Sequence, residues 1–193
     1  MILPLSAALA VVAIATNERI EIPGKLPAEL GALVDAGTKP IWLSQADLDR
    51  DGDADYIMVL EAPSLDEQRP LLILLREADG SLRLAKRNNR MVMCFECGGV
   101  MGDPFVGIEA KSGSFTVSHF GGSRERWGVG YRFDYSRRDK TWQLVEVTTL
   151  EFDAMNYEGA KSEHESHFVP PKDFGKIDIA EFDPDDWKGR GER

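Results

Sequence analysis

Cysteine and histidine are scarce, with two and three copies in 193 residues. A structural zinc centre draws on four such ligands, so little material exists for one. Positive charge is short as well: 23 Lys and Arg face 33 Asp and Glu, for a formal net charge of −10 and a pI near 4.8. Nucleic-acid binding needs a basic face to neutralise phosphates, so that function is disfavoured, as is attraction to an anionic membrane surface. Beyond the N-terminal residues no apolar run approaches the roughly 20 residues of a membrane-spanning helix. No repeat of about 20 to 50 residues is evident, which argues against a complete propeller or a solenoid. What is present is 42% hydrophobic residues, including nine Phe, four Trp and four Tyr. That is enough for one domain's core and excludes disordered, collagen-like and coiled-coil chains.

Residues 1–15, MILPLSAALAVVAIA, form an uncharged apolar run ending in Ala13-Ile14-Ala15, the small-x-small pattern of a signal-peptidase site. The expectation is a signal peptide over 1–15 and a single β-rich calcium-binding domain over 16–193, periplasmic or secreted, with no membrane span. A buried first strand or helix is the alternative, because no Lys or Arg precedes the run. No cysteine stands at the cleavage region to make a lipid anchor.

Leu26 to Asp35 can form one short helix, with Pro27 near its first turn and Gly37 as a stop. The rest reads as strands: Lys39 to Leu43, Tyr56 to Glu61, Leu71 to Arg76, Leu82 to Lys86, Met91 to Cys94, Gly107 to Lys111, Phe115 to Phe120, Val129 to Tyr135 and Trp142 to Thr149. Ala78-Asp79-Gly80-Ser81, Lys111-Ser112-Gly113-Ser114 and Arg137-Arg138-Asp139-Lys140 are hairpin connections. The fold class expected is therefore all-β: an antiparallel meander, curved sheet or propeller-like assembly with one short N-terminal helix. Leu71 to Leu75, apolar throughout, belongs in mid-sheet. The segment from His167, rich in acidic residues and isolated aromatics, is expected to cross the surface with its aromatics as anchors.

Charge is uneven. Residues 42–67 hold eight acidic side chains and one basic one. Within them, Asp47-Leu48-Asp49-Arg50-Asp51-Gly52-Asp53-Ala54-Asp55 leads directly into the apolar run Tyr56 to Leu60. Carboxylates at positions 1, 3, 5 and 9 with Gly at 6 are the spacing that wraps oxygen ligands around Ca2+. Asp47, Asp49, Asp51 and Asp55 are the side-chain ligands expected, with Asp53 contributing its main-chain carbonyl. An EF-hand would carry Glu at position 12, where Met58 stands. Crowded carboxylates repel by about 1 kcal/mol per close pair, a cost that a divalent cation removes. A solvated acidic hairpin without metal is the bland alternative.

Cys94-Phe95-Glu96-Cys97-Gly98-Gly99 admits three readings: half a zinc site, a redox dithiol or a small-loop disulfide. Zinc would need two ligands from His119, His164 and His167, whose spacing is wrong. A thioredoxin-type dithiol wants a βαβ setting that is missing. An exported chain favours the disulfide. His164-Glu165-Ser166-His167 reads as a polar loop, and Ser118-His119 lacks a base and oxyanion hole nearby in sequence, so no catalytic signature stands out.

The acidic loop resembles the calcium loop of FG-GAP and integrin-α repeats, D-x-D-x-D-G-x-x-D feeding a strand. More widely, Cys94-x-x-Cys97-Gly98-Gly99-x-x-Gly102-Asp103-Pro104-Phe105, Ser118-His119-Phe120-Gly121-Gly122-Ser123, Arg126-Trp127 and Phe133-x-Tyr135-Ser136-Arg137-Arg138-Asp139 look like a largely uncharacterised group of bacterial exported β-proteins that carry the same loop. Calcium-binding members of this general type are similar to periplasmic immunity proteins that block peptidoglycan-degrading effectors. The resemblance implies a calcium-stabilised protein-binding module that inhibits a cell-wall hydrolase, and the lack of a catalytic signature in the residues points to no enzyme activity of its own. Its contacts are expected on Glu96, Asp103, His119, Arg124, Glu125, Arg126 and Trp127, because rigid sheets usually present their function on loops. A glycan-binding or purely structural domain, or a hydrolase with a carboxylate pair in a cleft, are the other readings.

Overall fold

The computed structural model describes residues 22, 26–155 and 164–188; the expected signal peptide over 1–15 lies outside them. The chain is all-β, with its strands divided between two antiparallel sheets. The first sheet runs β1 (Pro40–Ala46), β2 (Asp55–Leu60), β3 (Arg69–Arg76) and β4 (Leu82–Val92). The second runs β5 (Phe105–Lys111), β6 (Ser114–Gly122), β7 (Glu125–Ser136), β8 (Thr141–Asp153) and β9 (His164–Phe168). In each sheet neighbours in sequence are neighbours in space, so both are up-and-down meanders. The short turns at residues 77–81, 112–113 and 137–140 make this order the natural one.

Side chains alternate across a strand, and the alternation assigns the two faces of the first sheet. Ile57, Val59, Leu71 and Ile73 point into a core shared with Ile108, Phe115, Val117, Phe133, Trp142 and Leu144 of the second sheet. Met58, Leu60, Leu72 and Leu74 point the other way and are covered by Leu30, with Ile22, Leu26, Leu33 and Val34 packed around them. A strand buried on both faces must be apolar at every position, which is why Leu71 to Leu75 shows no alternation. The helix that supplies Leu30 is only one turn, α1 (Ala28–Gly31), shorter than the Leu26 to Asp35 expected.

Three further differences from expectation have physical causes. The separate strands at Leu82 to Lys86 and Met91 to Cys94 are one strand, β4, and Cys94 lies beyond its end. The polar run Arg87-Asn88-Asn89-Arg90 stays in the ladder because its side chains find partners. Arg87 pairs with Asp35, Arg90 with Asp183, and buried Asn88 donates its amide to the carbonyls of Ile179 and Phe182. The His164 to His167 segment is the edge strand β9, hydrogen-bonded to β8 and polar because it faces water, not a loop. The C-terminal aromatics are more than surface anchors, since Phe174, Ile177, Ile179, Phe182 and Trp187 are buried within the shared core.

One glycine marks where the sheets meet. At Gly107 φ is +149°, and a Cβ there would lie 2.4 Å from the Trp42 ring. Gly107→Ala is expected to cost about 1 to 3 kcal/mol by forcing that ring aside. A lowered denaturant midpoint at unchanged slope checks this; an unchanged midpoint would show that Trp42 is free to move.

Candidate metal centre

The loop between β1 and β2 turns sharply. Gly52 has φ +101° and Arg50 φ +64°, conformations that gather successive odd-numbered side chains inward. One carboxylate oxygen each from Asp47, Asp49, Asp51 and Asp55 lies within 4.8 Å of the others. This is the only such grouping of His, Cys, Asp and Glu among the described residues. The side chain of Asp53 does not join it; its backbone N–H donates to Asp51 at 2.8 Å, and the role left to it is the main-chain one expected.

The loop is held from several sides. Asp55 is fully buried and accepts two backbone hydrogen bonds, from Leu48 N–H at 2.8 Å and Arg76 N–H at 2.9 Å. Asp47 and Asp49 both accept from Asp51 N–H. The second sheet braces the loop too. Trp142 Nε1 donates to the Leu48 carbonyl at 2.9 Å, Gly113 N–H donates to the Asp47 carbonyl at 2.8 Å, and Ser112 Oγ donates to Asp47 Oδ2 at 3.3 Å. These bracing residues carry no motif of their own and only the tertiary structure reveals them.

No Lys or Arg among the described residues forms an ion pair with Asp47, Asp49, Asp51, Asp53 or Asp55, although ion pairs such as Arg69–Asp103 and Arg132–Glu146 occur elsewhere. Burial, with the uncompensated charge behind it, shows in two carboxyls of the loop, Asp49 and Asp55. Burial, then the charges of Asp51 and Asp55, pushes the Asp49 carboxyl up to about 6. Burial raises that of Asp55 against the pull of its two N–H donors, and Tyr135 is raised by burial and by Asp49 and Asp51. Converging oxygen donors of this kind fit a hard divalent cation, the class to which calcium belongs, rather than a nitrogen- or sulfur-preferring metal.

Cys94 and Cys97 are joined as a disulfide, Cα atoms 5.2 Å apart, at the start of a short 3-10 stretch, Phe95–Met101. They are therefore unable to act as thiolate zinc ligands. The glycines after them pack against those of the β6–β7 turn: a Cβ on Gly121 would lie 3.0 Å from Gly98 Cα and 2.7 Å from the Trp127 ring. The motif Cys94 to Phe105 and the Phe120-Gly121-Gly122 motif thus form one packed corner.

The expected contact residues fall into different settings. Glu96, Asp103, Arg124 and Glu125 are exposed, and Arg126 and Trp127 are half-buried at the start of β7. Arg124 is engaged by Asp153 and Asp103 by Arg69. His119 is the correction: it is 2% exposed and faces the core from β6, so it cannot meet a partner. Its Nε2 accepts from Met93 N–H at 3.2 Å, which also rules it out as a base for Ser118. The alternation Phe115, Val117, His119 along one face of β6 carries this information. No family model matches the chain, and no curated protein or solved structure matches it either. Among the described residues no helix is long and apolar enough to cross a membrane.

Proposed function

We propose that this chain is a calcium-stabilised binding module that acts outside the cytoplasm, gripping another protein rather than catalysing a reaction, with a peptidoglycan hydrolase as the candidate partner. The observation that carries the calcium reading is the convergence of four carboxylates within 4.8 Å with no Lys or Arg among the described residues paired to them. The loop ties β1 and β2 to the β5–β6 turn and to Trp142, so an ion there stiffens the junction of the two sheets. The disulfide supports a setting outside the reducing cytoplasm. Against catalysis stands the engagement of the side chains that might perform it. His119 is occupied by Met93 N–H, Asp103 by Arg69 and Glu61 by Lys39. The −10 charge suits a basic partner, for which complementary fields speed association.

Asp51→Ala removes one exposed ligand with little else attached to it. In calcium at about 100 times the dissociation constant, bound metal adds about 2.7 kcal/mol to stability. The variant is expected to lose that increment and to melt identically in calcium and chelator; a wild-type response to calcium in the variant would remove Asp51 from the site. The partner reading is tested with a purified basic lysozyme-type hydrolase acting on a cell-wall suspension. Stoichiometric suppression of clearing in calcium, relieved by chelator, is the expected result. Full clearing at saturating protein would overturn it.

A further inference from the structure

At the other end of β1, on the order of 20 Å from the acidic loop at about 3.3 Å per residue, a cleft of about 370 Å³ opens between the two sheets. Its floor is aromatic and fixed. Trp42 and Phe105 meet edge to face at 5.5 Å. Trp42 Nε1 donates to Ser44 Oγ at 2.7 Å, and that hydroxyl donates to the Ile108 carbonyl of the second sheet at 3.3 Å. Arg69, its side chain 5% exposed, donates to the Met93 carbonyl, makes a bidentate pair with Asp103, and lies 5.6 Å from the Phe105 ring centre.

The rim is apolar and open. Leu65, Phe95 and Val106 are 54%, 49% and 60% exposed. Leu65 and Phe95 are held side by side, because Glu96 N–H donates to the Leu65 carbonyl at 3.1 Å and the disulfide closes the same turn. Val100 and Met101, later in the same 3-10 stretch as Phe95, are exposed as well. Three of the large hydrophobic side chains exposed on the described chain therefore line this one cleft. Isolated exposed hydrophobics are ordinary; such a concentration around a rigid cleft marks a binding surface.

Charge selects the occupant. The two basic residues of the cleft are already engaged, Lys39 by Glu61 and Arg69 by Asp103. Glu67 in the lining, and Asp66 and Glu96 next in sequence to the rim residues Leu65 and Phe95, have no Lys or Arg partner among the described residues. An opening with exposed apolar side chains and this group of unmatched carboxylates beside Leu65 and Phe95 fits an apolar side chain flanked by cations. A sugar fits less well, since Trp42 is only 8% exposed and Phe105 is half-buried, leaving Phe95 as the single exposed ring in the lining rather than a row of open aromatic faces.

Resting on the reading of a protein-binding module, we propose that this cleft is its docking site and that it takes a segment of the partner protein presenting an apolar side chain between Lys or Arg residues. The apolar side chain enters between Leu65, Phe95 and Val106, and the flanking cations meet Asp66, Glu67 and Glu96. Preorganisation by the disulfide and the Arg69 clamp reduces the ordering cost of binding.

The test is an amide and indole chemical-shift titration of the calcium-loaded chain with a short peptide carrying one Phe between lysines. Controls replace its lysines by Glu or its Phe by Ser, and a chito-oligosaccharide serves as the sugar probe. Only the Lys-Phe peptide is expected to shift the Trp42 indole, Leu65, Glu96 and Val106. Leu65→Ser, or Glu67→Gln with Glu96→Gln, should weaken it about ten-fold at an unchanged melting temperature. Shifts elsewhere, equal binding of the Glu peptide, or cleft shifts caused by the sugar overturn the proposal. The hydrolase is titrated onto wild type and Leu65→Ser in parallel. Equal binding to both overturns the cleft and leaves the module reading standing; binding of the peptide but not the hydrolase does the reverse for the candidate partner, and binding of neither removes both.

Discussion

Asp55→Ala is expected to destabilise the protein severely in chelator as well as in calcium. Asp55 is fully buried, and its two oxygens are the acceptors for Leu48 N–H and Arg76 N–H. Truncation leaves the buried Leu48 N–H without a partner, at about 1 to 3 kcal/mol, and the part-buried Arg76 N–H as well, at a smaller cost. Against a typical stability of about 5 to 15 kcal/mol, that is a large fraction before any metal is counted. Asp55→Asn should fall between, since the amide keeps one acceptor but turns its NH2 toward one of the two donors. Urea unfolding in chelator separates the roles: Asp55 variants lose stability there, whereas Asp51→Ala, whose side chain is exposed, does not. Equal behaviour of the two in chelator would contradict the division into one structural and several metal-facing carboxylates.

A comparably large effect attaches to His119. Burial, reinforced by the Arg69 charge and opposed by Asp103, lowers its pKa from 6.5 to about 4. The neutral ring accepts from Met93 N–H through Nε2, so Nδ1 carries the proton, and that N–H has no partner in its pocket beside Phe105 and Tyr131. A histidine whose folded pKa is depressed contributes stability that is complete above its unfolded pKa. It is lost as pH falls from about 6.5 toward 4, where the unfolded chain takes up a proton that the native state refuses. A gap of that size amounts to on the order of 3 kcal/mol. Protonation also deprives Met93 N–H of its acceptor, loosening the turn that bears the disulfide. Because Asp49 titrates in the same window with the opposite sign, the informative quantity is the difference between wild type and His119→Gln, which keeps an acceptor and cannot charge. That difference should narrow steadily between pH 6.5 and 4; a pH-independent difference would place the histidine in contact with water.

Much of the architecture is legible in the linear pattern. Hairpin turns such as Ala78-Asp79-Gly80-Ser81 separate the strands where their side chains demand it, and the unbroken Leu71 to Leu75 run announces a strand covered on both faces. The acidic loop is legible too, because ligand spacing and the glycine at its sixth position are local properties. The failures are where distant chain decides. Asn88 sits in mid-strand because the carbonyls of Ile179 and Phe182, some ninety residues on, satisfy it. His164 to His167 pairs along β8 although nothing apolar marks it as a strand. The cleft is assembled from β1, the β2–β3 loop, β3, the 3-10 stretch and β5, so Leu65, Phe95 and Val106 show no common signal until the sheets meet.

Calcium titration calorimetry on the chelator-stripped chain tests the central claim most directly. The account predicts saturation at one ion per chain, with a dissociation constant of about 0.1 to 1 mM as in extracellular calcium modules, and loss of that heat in Asp51→Ala with the fold retained. No calcium heat in the wild type, or the same heat in the variant, would contradict a calcium centre formed by Asp47, Asp49, Asp51 and Asp55.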